Sequence, residues 1–132
     1  MTEPVDILSF DAVANAELGF EFELTKEDGA PTGVMLTVIG HHSEAVSRWF
    51  AKQVDIYAKR RLSAEKDSLP EVTFEQGKED DLENAMVRVK GWRNVKQDYD
   101  PALMRSALVR NPHWIGQIIA KSETVGNFTK PQ

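Results

Sequence analysis

Glu17-Leu18-Gly19-Phe20-Glu21-Phe22-Glu23-Leu24, followed after a turn segment by Val34-Met35-Leu36-Thr37-Val38-Ile39, is the stretch that decides the fold. Leu18, Phe20, Phe22 and Leu24 alternate with Glu and Gly, and successive strand side chains point to opposite faces, so this period of two predicts a half-buried strand. Thr25–Gly33 carries Asp28-Gly29, Pro31 and a closing glycine, which is turn chemistry. The second run is more apolar and predicts a better covered strand. Together they predict a β-hairpin over 17–39, with Leu18, Phe20, Phe22 and Leu24 on the covered face. A lone hairpin is marginal in water, so other elements must cover it.

Outward from the hairpin the pattern turns helical. Gly40-His41-His42 stops the second strand, and Ser43 is placed to cap a helix over about 44–66. Its apolar stripe takes in Val46, Trp49, Phe50, Val54 and Tyr57, with the bases mostly opposite. Residues 67–79 read as an acidic loop. Leu82, Ala85, Met86, Val89 and Trp92 place a helix over about 80–92. Asp100-Pro101 and Asn111-Pro112 are cap-plus-proline pairs that open short helices over about 101–109 and 112–122. Gly126 or Asn127 closes the last helix, and Phe128 folds back. Residues 1–15 read as a flexible arm with one helical turn near Asp11–Asn15, and 129–132 as a tail. The expectation is one α+β domain over 16–128: an N-terminal antiparallel hairpin packed on a bundle of about four helices.

Composition narrows the function. The 132 residues include no cysteine, which excludes disulfides, thiolate metal sites and cysteine nucleophiles, and suits a reducing cytosol. No apolar run approaches the roughly 18–20 residues of a bilayer span, so no membrane partner is expected. The net charge of −5 is distributed in blocks: residues 1–28 hold eight acids and one base, 43–66 three acids and six bases, 67–81 six acids and one base, and 82–132 four acids and eight bases. Such blocks can complement one another within the fold or across a subunit contact, which allows a homo-oligomer. The chain is not basic enough to make nucleic acid the leading partner.

Groups that could carry chemistry each have a plainer structural account. His41 and His42 are adjacent and point apart, while His113 is remote, so they read as turn and surface histidines; no metal and no cofactor is expected. The carboxylate pairs Glu21/Glu23, Asp80/Asp81 and Asp98/Asp100 read as exposed or capping groups, whereas a catalytic carboxylate needs burial or charged partners. No serine lies in a Gly-x-Ser-x-Gly elbow and no glycine loop links strand to helix. Lys59-Arg60-Arg61 with Lys66 suits a helix C-terminus. The expectation is a protein that is not an enzyme. Of the three tryptophans, Trp49 falls on a core stripe. Trp92 and Trp114 fall at helix ends among Arg93, Lys96, Arg110 and His113, and with Tyr99 they are the candidate partner-binding residues. The plainer account of each indole is core packing.

Val89-Lys90-Gly91-Trp92-Arg93-Asn94-Val95, then Tyr99-Asp100-Pro101, Pro112-His113-Trp114-Ile115-Gly116-Gln117-Ile118-Ile119 and Gly126-Asn127-Phe128 resemble, in that order, small proteins of tailed bacteriophages and prophages. The hairpin and Val38-Ile39-Gly40-His41-His42-Ser43 match the N-terminal half of the same group, so the resemblance spans about 17–128. Its members are assigned as tail assembly chaperones of long, non-contractile-tailed phages. The resemblance implies a non-catalytic factor that binds the tape measure protein, the tail tube protein or both in the cytoplasm of the bacterial host. The alternative it leaves open is a minor tail or head–tail connector subunit retained in the virion.

Overall fold

A computed structural model describes residues 3–64 and 74–128. The architecture is α+β, a three-stranded antiparallel sheet with helices over one face. Strands β1 (Phe20–Thr25) and β2 (Pro31–Val38) form the expected hairpin, joined by a turn in which Gly29 takes φ +86° and the Lys26 amide bonds the Ala30 carbonyl at 2.7 Å. Glycine adopts that left-handed backbone without a Cβ penalty. The register sets Phe20 opposite Val38 and Phe22 opposite Leu36. The pairing is irregular between Glu23 and Thr25, where Thr32 Oγ1 donates to the Leu24 carbonyl at 2.7 Å.

The strand starts later than the alternation suggests. Leu18 precedes β1 and is exposed, Phe20 is half-buried, and Phe22 and Leu24 are the buried pair. Gly19 at φ +81° turns the backbone between Leu18 and Phe20, so the period of two does not carry back to Leu18.

Helix α1 (Ala12–Ala16) follows a short 3₁₀ turn at Ile7–Ser9; Asp11 and Asp6 cap the two through their carboxylates. Helix α2 (Glu44–Ala64) runs as expected, but Ser43 Oγ is buried without a hydrogen-bond partner. The first amide of α2, on Glu44, is instead taken by Glu17 Oε1 at 2.8 Å. The long helix α2 packs mainly on α3, and its apolar stripe divides. Val46 is buried and Trp49 and Ile56 half-buried; Phe50 and Tyr57 are partly exposed but reach α3, Phe50 beneath the Arg88 guanidinium and Tyr57 donating its hydroxyl to Asp80 at 2.7 Å, whereas Val54 and Leu62 face solvent.

Residues 80–92 are not one helix. Helix α3 spans Phe74–Arg88, so residues 74–79 of the expected acidic loop are helical, while 67–73 lie outside the described residues. Strand β3 (Val89–Arg93) follows without a connecting loop and pairs with β2, giving the order β1-β2-β3 with Leu36 opposite Trp92. Trp92 therefore sits in a strand, not at a helix end. The free edge of β2 supplies partners that local periodicity cannot reveal.

Helix α4 (Pro101–Arg110) opens as expected, Asp100 Oδ1 accepting from the Ala102 amide at 3.0 Å. The device at 111–112 differs: Asn111 ends α4, its Nδ2 donating to the Ala107 carbonyl, and α5 (His113–Glu123) starts from Pro112 without a side-chain cap. A final 3₁₀ turn, Val125–Phe128, folds Phe128 back into the core against Phe20, with ring centroids 6.1 Å apart. The core joins Phe22, Leu24, Leu36 and Val38 of the sheet to Leu82 and Ala85 of α3, Met104 and Leu108 of α4, and Ile118 of α5. Gly40 lies where the chain passes closest to itself. A Cβ there would stand 2.8 Å from Ala16 Cβ and 3.0 Å from Ala16 Cα.

Candidate functional site

At one end of the sheet an open groove of about 400 Å³ is walled by Trp92 from β3, Leu103, Met104 and Ala107 from α4, and Trp114 from α5, with Leu24 and Val34 contributing from the hairpin. Both indole N–H groups are satisfied by this chain itself: Trp92 Nε1 donates to the Gln97 carbonyl and Trp114 Nε1 to the Thr25 carbonyl, each at 2.8 Å. The rings are thereby fixed in orientation and their carbon faces line the groove. Tyr99 packs edge-on against Trp92 at 5.0 Å between centroids, and burial with the neighbouring Asp100 pushes its phenol pKa up.

The groove brings Trp92 and Trp114 together and takes in Arg110, but it does not gather the rest of the expected rim. Arg93 is on the other face of the sheet, where its guanidinium grips Glu21 with bonds of 2.8 and 2.6 Å. The pair holds the Glu21 carboxyl below its ordinary pKa and raises that of Arg93. Lys96 is exposed outside the groove. His113, half-buried, packs its ring 5.8 Å from that of Trp114, with Nε2 buried and unpartnered. Leu103, Ser106, Ala107 and Arg110 line the groove at helical spacing along α4, a signal the sequence carries. Val95 and Gln97 enter from a loop and carry no such signal.

A second polar centre lies inside the fold. Arg88, the last residue of α3, is fully buried. Its Nε donates to Asn84 Oδ1 at 3.1 Å and its Nη1 to Ser122 Oγ at 3.0 Å, with His41 Nδ1 3.2 Å from the same Nη1. Ser122 Oγ donates onward to the Ile39 carbonyl at 2.6 Å. Nη2 has no hydrogen bond and only Glu123 at 3.9 Å, so burial lowers the Arg88 pKa, partly countered by Glu123. A buried guanidinium tied to three segments fixes how α3, α5 and the turn after β2 sit together. It supplies no accessible nucleophile or base.

His41 and His42 pack edge to face at 5.8 Å. Among the described residues no three His, Asp or Glu side chains converge as a metal site, and no helix is long and apolar enough to cross a membrane. In comparisons with known proteins no family matches the chain, and no characterised protein or solved structure is significantly similar to it.

Proposed function

We propose that this chain is a non-catalytic binding protein that takes an apolar segment of a partner into the groove between Trp92 and Trp114. The proposed setting is the cytoplasm of a bacterial host, as a tail assembly chaperone for a tape measure or tail tube protein. The observation that carries the binding role is the groove itself. Two indoles from distant parts of the chain face one open, apolar-walled cleft, with their polar N–H groups already bonded and Arg110 at the rim. Rigid aromatic walls with satisfied polar atoms lose little entropy on binding and bury much area, the pattern of an interface hot spot. An amphipathic helix, the expected form of a tape measure segment, fits such a cleft through side chains at i, i+3 and i+4. The setting is supported by the order of the motifs in the C-terminal half.

The test is co-purification of the tape measure or tail tube protein with the parent chain and with Leu103→Glu. Leu103 lines the groove and is 42% exposed, so a glutamate is tolerated by the fold but places a charge in the cleft. Loss of the partner with an unchanged melting curve is the expected result. Retention of the partner rejects the groove. Recovery of this chain in stoichiometric amounts from purified virions replaces the chaperone role with that of a structural subunit.

A further inference from the structure

The groove between Trp92 and Trp114 is apolar along its walls and carries charge at one place. Among the described residues that line it, Arg110 alone is charged and none is a carboxylate. Elsewhere Arg48, Arg93 and Arg105 each pair with a carboxylate of this chain, and Arg60 lies over the Tyr57 ring. Arg110 is exposed, and no hydrogen bond, ion pair or ring contact ties it to a described residue. Its place at the end of α4 suits the helix dipole. It does not cap the helix, however, because Asn111 Nδ2 donates to the Ala107 carbonyl at 2.9 Å.

Ser106 stands one turn before Arg110, and both line the groove. Residues four apart on a helix are neighbours on one face, with Cβ atoms about 5–6 Å apart, so a hydroxyl and a guanidinium flank the same stretch of rim. Ser106 is exposed, and its hydroxyl has no partner among the described residues. Both groups can donate to one carboxylate, to which a guanidinium offers two parallel N–H bonds. Asp100, the acid that opens α4, caps the other end of this ten-residue helix, about 15 Å away.

We infer that the groove selects an apolar segment bearing a side-chain carboxylate, an acidic amphipathic helix, and that Arg110 and Ser106 receive this carboxylate. The inference rests on the binding role proposed for the groove and adds its selectivity. Apolar side chains of the occupant fill the space between the indoles, and the acid beside them meets the two donors at the rim. Covering Arg110 takes water from the pair, so it is worth more there than on an open surface. A segment without an acid leaves the guanidinium desolvated and unpaired. One with lysine at that place sets like charges together, with no acid in the lining to offset them.

The test uses two end-blocked peptides that share one leucine stripe, flanked by glutamate in one and by lysine in the other. Each is titrated calorimetrically into the full chain at about 0.15 M salt, where distant charges are screened. The glutamate peptide is expected to bind about tenfold more tightly, although the net charge of −5 favours the lysine peptide. Arg110→Glu reverses the order. Arg61→Glu, the same charge change on α2 outside the groove, preserves it. Ser106→Ala weakens the glutamate peptide alone, by about threefold. Equal shifts in the Arg110 and Arg61 variants, or a parent chain that prefers lysine, overturn the inference. If Leu103→Ser weakens both peptides while those shifts are equal, the groove stands and the carboxylate preference alone falls. If Leu103→Ser weakens neither, or neither peptide binds, the groove reading falls and takes the inference with it.

Discussion

Gln117 of α5 holds the end of β1 by doing for Thr25 what a neighbouring strand would do: its Oε1 accepts from the Thr25 amide at 3.0 Å and its Nε2 donates to the Thr25 carbonyl at 3.3 Å. The same carbonyl accepts from Trp114 Nε1 at 2.8 Å. The position is where β1–β2 pairing becomes irregular, so helix side chains satisfy backbone groups that the ladder leaves.

Gln117→Ala is expected to lower stability by about 1–3 kcal/mol, because a part-buried amide loses its acceptor and the carbonyl loses one of two donors. A lower denaturant midpoint with an unchanged slope checks this. An unchanged midpoint would show that water replaces the side chain at no cost.

Phe22 and Leu18 separate the covered strand from its flank. Phe22→Asp should unfold the domain, costing more than about 4 kcal/mol by placing a charge among apolar neighbours. Leu18→Asp should leave the melting curve close to the parent, since that side chain is exposed. Equal effects from the two would contradict the observed register.

Gly40→Ala is expected to destabilise by about 1–3 kcal/mol, as the new methyl meets Ala16 Cα at 3.0 Å, backbone that cannot swing aside. Adding Ala16→Gly should recover part of the loss, and a thermal double-mutant cycle on the pair should therefore be non-additive.

Around Arg88 the direction of the effect depends on which partner is removed. Ser122→Ala strands a buried guanidinium donor and the Ile39 carbonyl, and should cost about 1–3 kcal/mol. Arg88→Met removes the charge while filling similar volume, and should cost less than Ser122→Ala or stabilise. Chemical denaturation of both variants decides the order.

Burial, then Asp100, raises the Tyr99 pKa in the fold above its ordinary value near 10. The folded state thus favours the protonated phenol. Its contribution is fully present below the unfolded pKa and is lost as pH rises through the folded one. Stability should fall in alkaline solution, and Tyr99→Phe should reduce that fall; melting temperatures between about pH 8 and 11 test it.

The hairpin and the helix opening at Asp100-Pro101 were legible because their causes are local: alternation, a glycine turn, a carboxylate next to a proline. Strand β3 was not, because Val89 and Trp92 continue the helical spacing of Leu82, Ala85 and Met86, and only the open edge of β2 makes the backbone extend. The stripe of α2 is wider in the sequence than in the packing. Periodicity marks Val46, Trp49, Phe50, Val54 and Tyr57 alike, but α3 covers them unequally, from a buried Val46 to a Val54 that is left exposed. Two walls of the groove, Trp92 and Trp114, were recognisable as indoles beside polar residues. A helix would set Arg93 next to Trp92 on a rim, whereas the strand sends it to the opposite face. Arg88 looked like an ordinary cation at a helix end, since its burial is decided by His41 and Ser122 from distant segments.

The junction of α3 and β3 has no connecting loop, for Arg88 is the last helical residue and Val89 the first extended one, and the irregularity of the β2–β3 pairing sits there, with Val89 opposite Val38 and Gly91 opposite Thr37. Arg88 is locked in the interior and Trp92, four positions on, is locked by its bond to Gln97. One residue inserted between them would exchange the two sides of the strand, turning Arg93 toward the groove and Trp92 toward water. The number of residues from Arg88 to Trp92 thus matters more to the cleft than their types, and a chain one residue longer or shorter here keeps the cleft only by altering the irregularity already present at Val89–Gly91.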